Sequence, residues 1–525
     1  VFERQEFIAP KTKRELEIAA AFSGLLGLDK VSITDDFYKL GGNSILALKL
    51  SNRIDLQVKQ ILQAKNIQQM AKLEKRSAQL NSYGDIKESS YELSFAQERL
   101  WFIDQFEHDL KAYNVPLVLE LSPDVKLENL ERAIKEIVNR HEVLRTLIID
   151  GRQVIQEKTL YISHDSVEPS EFIEEPFDLS REFPIRVNIY DGQLMISIHH
   201  IAFDGWSTEI LLTELNDLYL GKKLSSLTNQ YKDYSGWQRH EFNGHSLEKQ
   251  EAFWKDNLKG YEPLNLPSDF ERPKEFSYRG ADISIKFKSE WQEALETIAR
   301  KYETSLYTIM LSLLDIMLAQ YSYQQDIVVG TPIANRHIKG TEDLIGFFIN
   351  TLPVRTEVKS DATVKDLILK NKKTIVNIQN NQDIPFEKIV DILNVPQDTS
   401  RNPIFQVLFS VQDFAPEKLI KNNLFMGCNE GLVLNSAKYD LSVLVENGGI
   451  NFNYCTDIYS EYTIQSMIDS YSNLIEQVIE DENREIKNIQ LTGKSSIGVK
   501  RYYPAKTVVD IFLDQVRKTP DLIAI

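Results

Sequence analysis

Residues 193–219 constrain the fold more than any other stretch of this chain. Leu194, Ile196, Ile198 and His200 alternate with Met195, Ser197 and His199, the two-residue period of a β-strand. Asp204-Gly205 then turns the backbone, and Ile210, Leu211, Leu215 and Leu218 follow at helical spacing, so a helix is expected from near Trp206 to Thr208 onward. Ile185 to Ile189 reads as a second strand, paired with the first around Asp191-Gly192. If the first strand lasts to His200, its two adjacent imidazoles point to opposite sides. One is then buried, and the other faces a cleft.

The same mixture continues on both sides. Val115 to Leu121 and Asp326 to Gly330 read as strands; Leu127 to His141, Trp291 to Tyr302 and Tyr307 to Tyr321 read as helices. Roughly 400 residues of such sequence are too many for one ordinary core, and a Pro-, Asp- and Gly-rich break near Leu258 to Lys274 is expected to separate two halves. Ahead of this region, Phe7 to Arg76 reads as a small helical domain. A helix from Lys11 stops at Gly27, and another starts at Ser44. Ser77 to Glu92 is polar and aperiodic, as a linker would be. Arg501 to Ile525 holds one short helix, Thr507 to Lys518, too little to fold alone. The 525 residues therefore divide as 1–76, 77–92, 93–262, 263–490 and 491–525. The fold class is multidomain: a small all-α four-helix bundle followed by a two-lobed α/β region.

Charge and cysteine content narrow the partners. With 60 Lys and Arg against 77 Asp and Glu, the formal charge is −17, which argues against nucleic acid and anionic membranes. Two cysteines, Cys428 and Cys455, imply neither a disulfide framework nor a thiolate zinc site. The N-terminus lacks the pattern of a signal peptide and no apolar run is long enough to span a bilayer, so a cytoplasmic location is expected. The abrupt ends, without an initiator methionine, suggest a piece of a longer polypeptide.

Two groups of residues carry chemistry. Phe37-Tyr38-Lys39-Leu40-Gly41-Gly42-Asn43-Ser44 places Ser44 at a helix start. It reads either as an N-cap or as a site whose free N–H groups favour a phosphate. His199-His200-Ile201-Ala202-Phe203-Asp204-Gly205 admits three readings. It could be a metal site, although strand neighbours diverge and no third ligand lies nearby. It could be a buried histidine bonded to Asp204. Or it could be a catalytic histidine that takes a proton from an attacking amine, alcohol or thiol, with the Gly205 backbone free to approach the reacting group.

Both groups resemble those of one family. DDFYKLGGNSILALKL is similar to the 4′-phosphopantetheine attachment site of a peptidyl carrier domain from a nonribosomal peptide synthetase, with Ser44 at the attachment position. Asn43 replaces the commoner His or Asp. His199 to Gly205 resembles the HHxxxDG signature of condensation domains, whose fold is similar to chloramphenicol acetyltransferase. Six further segments resemble the other condensation motifs in order: Ser94 to Phe102, Arg140 to Thr146, Tyr231 to Tyr234, Ile345 to Pro353, Gln382 to Glu387 and Ser400 to Gln406.

The resemblance implies two lobes with a tunnel between them and His200 as the catalytic histidine, either base or positioning group. His199 is its supporting neighbour, Asp204 a structural partner of an arginine (Arg336, or alternatively Arg145), Gly205 lies against the substrate thioester, and Asn350 belongs to the fifth motif. No metal is implied. The cofactor would be 4′-phosphopantetheine on Ser44. The partners would be a phosphopantetheinyl transferase, adjacent adenylation domains and a downstream aminoacyl carrier as acceptor. The terminal helix resembles the opening of an adenylation domain. Two histidines argue against heterocyclisation, and no epimerisation domain intervenes, which implies an L-configured donor. The lysine- and isoleucine-rich composition resembles a bacillar synthetase.

Overall fold

The computed structural model describes residues 7–37, 40, 44–56, 60–61, 64, 66–73, 89–106, 111–242, 247–396, 398–412, 424–428, 435–446, 449–491, 512–513 and 516–517. Gly41-Gly42-Asn43 of the attachment motif, most of the 77–92 linker, the Cys428 side chain and most of 491–525 lie outside the described residues.

The helical domain starts with Lys13–Leu26. Thr12 caps it by accepting from the Glu15 N–H (3.1 Å), and the Glu15 carboxylate accepts in return from the Thr12 N–H (2.8 Å). Gly27 closes the helix at φ 64°, a left-handed position that suits glycine. Ile18, Phe22, Phe37, Leu50, Ile54, Ile61 and Met70 form its core, with Phe22 edge-on to Phe37 at 5.3 Å. A second helix, Ser44–Ile54, opens on the serine of the motif.

Two sheets organise the larger region. The N-terminal lobe holds five strands in the order Phe425–Cys428, Asn114–Leu121, Gln193–His199, Ile185–Tyr190 and Ile162–Ser163. Its core includes Leu194, Ile196 and Ile198 from one face of the histidine strand, packed with Ile134, Ile137, Leu211 and Leu215 of flanking helices. Met195, from the opposite face, packs with Phe172, Ile173 and Val118. The alternation read in the sequence is real, but both faces are covered.

The C-terminal lobe holds six strands in the order Asn350–Glu357, Asp326–Ile333, Val407–Gln412, Leu441–Glu446, Gly449–Cys455 and Gly280–Lys286. The helix Leu306–Ser322 is buried against this sheet; Ser305 caps its start (3.3 Å to the Thr308 N–H).

The lobes exchange chain, so a cut near residue 262 does not separate them in space. Leu247, Trp254 and Leu258 pack into the C-terminal core. Ile338, Leu344, Ile345 and Phe348 pack into the N-terminal one. Strand Phe425–Cys428, late in the sequence, pairs antiparallel with Asn114–Leu121. Pairing and burial, which act across hundreds of residues, decide these memberships; local composition does not.

Candidate active site

The histidine strand ends at His199. His200 opens a single 3-10 turn, His200–Ala202, and Asp204 caps the helix Gly205–Tyr219, which starts slightly earlier than the sequence suggested. This strand–turn–helix is anchored by Asp204, 1% exposed. Its Oδ1 accepts from the Ser207 N–H (2.9 Å) and the Ser207 hydroxyl (2.7 Å), and its Oδ2 accepts from the Phe348 N–H (3.1 Å). Arg336 Nη2 donates to the same Oδ1 at 2.9 Å and to Ser207 Oγ at 2.9 Å.

Arg336 itself is fully buried. It donates to the carbonyls of Thr341 and Leu344 and stacks on Phe348 at 4.1 Å. Burial pulls the guanidinium below its ordinary value, against the opposing charge of Asp204. Arg145 lies elsewhere. It reaches the Gln156 carbonyl and Glu142 (3.9 Å), so of the two arginines weighed in the sequence only Arg336 meets Asp204.

This network holds segment 345–348 against the turn. The Gly346 N–H donates to Ser207 Oγ at 3.1 Å, and a Cβ on Gly346 would come within 2.2 Å of the Tyr231 ring. The next residue, Phe347, lies edge-on to His200 at 4.8 Å. Asn350 works further along: its amide donates to the carbonyls of Gln382 (3.2 Å) and Ile384 (2.8 Å), and its Oδ1 accepts from the Phe386 N–H (3.1 Å), which pins the Ile-Pro-Phe-Glu segment.

The two histidines differ in what holds them. His199 is buried between Tyr113 (6.5 Å) and Phe177 (5.9 Å), and its Nδ1 accepts from the Ile201 N–H at 3.1 Å. His200 Nδ1 lies 2.6 Å from the Phe203 carbonyl. A carbonyl only accepts, so Nδ1 carries the proton and the neutral ring presents a lone pair at Nε2. Burial, then the charge of Lys438, lowers His200 to about 3; burial, His200 and Lys438 do the same to His199. Gly205 is exposed, and a Cβ there would meet nothing within 4 Å.

Sequence reasoning gave no role to Ser207, Phe347, Lys438 or the pair Arg99–Glu387 (3.6 Å). Ser207 was within reach, as the hydroxyl three residues after a capping Asp. No local signal marks the others. In the helical domain, the first turn of Ser44–Ile54 carries no acidic residue, so nothing there opposes a phosphate at the positive end of the helix. The residues present fit a phosphopantetheine attachment site.

A two-lobed transferase fold with a histidine at the lobe junction, preceded by a small helical carrier, is the class these features define. Residues 87–496 match the condensation domain family, and residues 17–73 match the phosphopantetheine attachment site family. The chain belongs to the condensation-domain family of nonribosomal peptide synthetases and includes a carrier domain that takes 4′-phosphopantetheine covalently.

The chain is 32% identical over 564 residues to gramicidin S synthase 2 of Brevibacillus brevis, covering 99% of this chain and 13% of that protein. It is 31% identical over 559 residues to surfactin synthase subunit 1 of Bacillus subtilis (strain 168), covering 98% of this chain and 15% of the relative. It thus spans less than a sixth of these two relatives. Its fold is similar to that of a four-domain nonribosomal peptide synthetase bound to AMP and glycine, with a TM-score of 0.72 at 19% identity over 85% of this chain and 38% of the other. No helix among the described residues is long and apolar enough to cross a membrane.

Proposed function

We propose that this chain carries a peptidyl or aminoacyl thioester on an arm at Ser44 and joins it to the amine of a downstream aminoacyl carrier, with His200 at the reacting centre. When bound, the arm supplies an acyl group activated toward amines. The observation that carries the reading is the His200 tautomer: the Nδ1–H bond to the Phe203 carbonyl leaves Nε2 as a hydrogen-bond acceptor for the acceptor amine. A ring this hard to protonate is uncharged at neutral pH, which suits it better to orienting the amine than to holding its proton for long. His199 backs it, the Asp204–Arg336 pair fixes the turn, and Gly205 leaves room for the thioester.

The remaining assignments follow the family. The donor is L-configured. A phosphopantetheinyl transferase and adjacent adenylation domains of the same assembly line are partners, residues 491–525 are a linker and the start of an adenylation domain, and the location is cytoplasmic. The finest form of the reading, an internal fragment of the third tyrocidine synthetase subunit, rests on the lysine- and isoleucine-rich composition.

The test is dipeptide formation by the full chain, donor-loaded at Ser44, with a separately supplied aminoacyl carrier. Intact mass should show one arm on the wild type and none on Ser44→Ala. His200→Ala should lose on the order of 10²-fold or more in rate. An arm on another residue, or a wild-type rate in His200→Ala, overturns the reading. Transfer from a soluble coenzyme A thioester by the unmodified chain would replace it with a free-standing acyltransferase.

A further inference from the structure

Three arginines near the lobe junction are each matched by a carboxylate: Arg336 by Asp204 (2.9 Å), Arg99 by Glu387 (3.6 Å) and Arg272 by Asp440. Lys438, two residues before Asp440, is not. No carboxylate pairs with it among the described residues. It precedes strand Leu441–Glu446 of the C-terminal lobe, and its ammonium lies 4.9 Å from the centroid of the Tyr113 ring in the N-terminal lobe. That ring packs on His199. The Lys438 charge bears on both His199 and His200. Its own backbone is held, with the carbonyl accepting from Asn402 at 2.8 Å.

A half-buried cation without a counter-ion costs stability, and opposite charge arriving beside it recovers that cost. Burial lowers the Lys438 ammonium to about 8, so it is still mostly charged at neutral pH. The other ionisable groups of the cluster cannot supply that charge. Arg99 is committed to Glu387; burial works against its cation, but Glu387 and the hydroxyls of Tyr439, Tyr113 and Tyr278 more than offset this. Burial raises both Glu387 and Tyr439, so neither ionises more readily there than in water.

We propose that Lys438 is a further catalytic residue of the condensation, its ammonium taking the oxygen of the donor carbonyl while the acceptor amine attacks beside His200. The inference rests on the reading that His200 faces that amine. The carbon–nitrogen bond forms, the carbon–sulfur bond breaks, and the amine proton ends on the departing sulfur. Lys438 keeps its protons throughout and acts only by charge.

Lys438→Met keeps the stem and removes the charge; Lys438→Arg keeps the charge. The full chain is loaded with an alanyl donor at Ser44 and given a leucyl carrier as acceptor. Lys438→Met should slow single turnover by about 10²-fold at saturating acceptor, with the acceptor KM unchanged, and Lys438→Arg should stay within about tenfold of wild type. A second readout needs no turnover. In histidine NMR titrations of the unloaded chain, His199 and His200 should titrate at higher pH in Lys438→Met than in wild type or Lys438→Arg.

A wild-type rate in Lys438→Met, a loss that Arg does not restore, or unmoved titrations would overturn the proposal. His200→Ala in parallel separates the two readings. If it keeps the rate that Lys438→Met loses, His200 falls and Lys438 stands. If it loses the rate that Lys438→Met keeps, the reverse holds.

Discussion

Asp204 at the lobe junction and Asp315 in the C-terminal core are both buried, at 1% and 0% exposure, and the protein treats them in opposite ways. Asp204 is met by a guanidinium, a hydroxyl and two backbone N–H groups. Asp315, on the helix Leu306–Ser322, forms no ion pair among the described residues. The Asn371 amide donates to its Oδ2 at 2.8 Å, and its Oδ1 has no partner among the described residues. Burial raises it to about 7, with Asn371, Thr356 and the charge of Lys370 pulling the other way. The difference separates two uses of a buried carboxyl. One is a charge locked in place to fix the turn that carries His200. The other is partly protonated at neutral pH and fills a polar gap in a packed core.

The largest test of this contrast is Arg336→Met. It leaves Asp204 buried beside no cation and should cost about 3–5 kcal/mol in chemical denaturation. Adding Asp204→Asn should restore part of that loss; a loss below about 1 kcal/mol would mean that the pair is not what holds the turn.

Asp315 gives an intermediate effect that depends on pH. Its folded value stands above its ordinary 3.8, so its contribution is complete below that value and is lost as pH rises toward about 7. Wild type should therefore weaken relative to Asp315→Asn between about pH 5 and pH 8, by more than about 1 kcal/mol in urea denaturation. Parallel pH profiles would show that Asp315 is ionised throughout.

The smallest effect belongs to an exposed pair, Lys339 with Asp55 of the helical domain at 2.9 Å. Lys339→Ala should change stability by less than about 1 kcal/mol, and salt should erase even that. A larger loss would mean that this contact organises how the carrier sits.

The parts of the site visible in the sequence are those built from neighbours in the chain. The strand ending in His199, the Asp204-Gly205 turn and the following helix all come from two periodicities joined by a capping residue. The helices Lys13–Leu26 and Leu306–Ser322 are equally local, marked by Thr12 and Ser305 at their starts. The assignment of Ser44 and the ordered motifs needed the family resemblance. The rest was set by distance. Arg336 follows Asp204 by 132 residues, and nothing in its own neighbourhood tells it apart from Arg145. Lys438 sits in Ser-Ala-Lys-Tyr-Asp-Leu, where a lysine reads as solvated surface. Only Tyr113, brought over from the other lobe, makes it part of the cleft.

The exchanged strand Phe425–Cys428 has a mechanical consequence. It is bonded to Asn114–Leu121, and that strand is bonded in turn to Gln193–His199, with Asn114 opposite His199. A segment from late in the chain therefore sits two strands away from the histidine in one continuous lattice of hydrogen bonds. The strand that ends in His199 is thus braced on that side by a segment supplied from far along the chain, so the surroundings of the histidine are completed only once that late segment is in place.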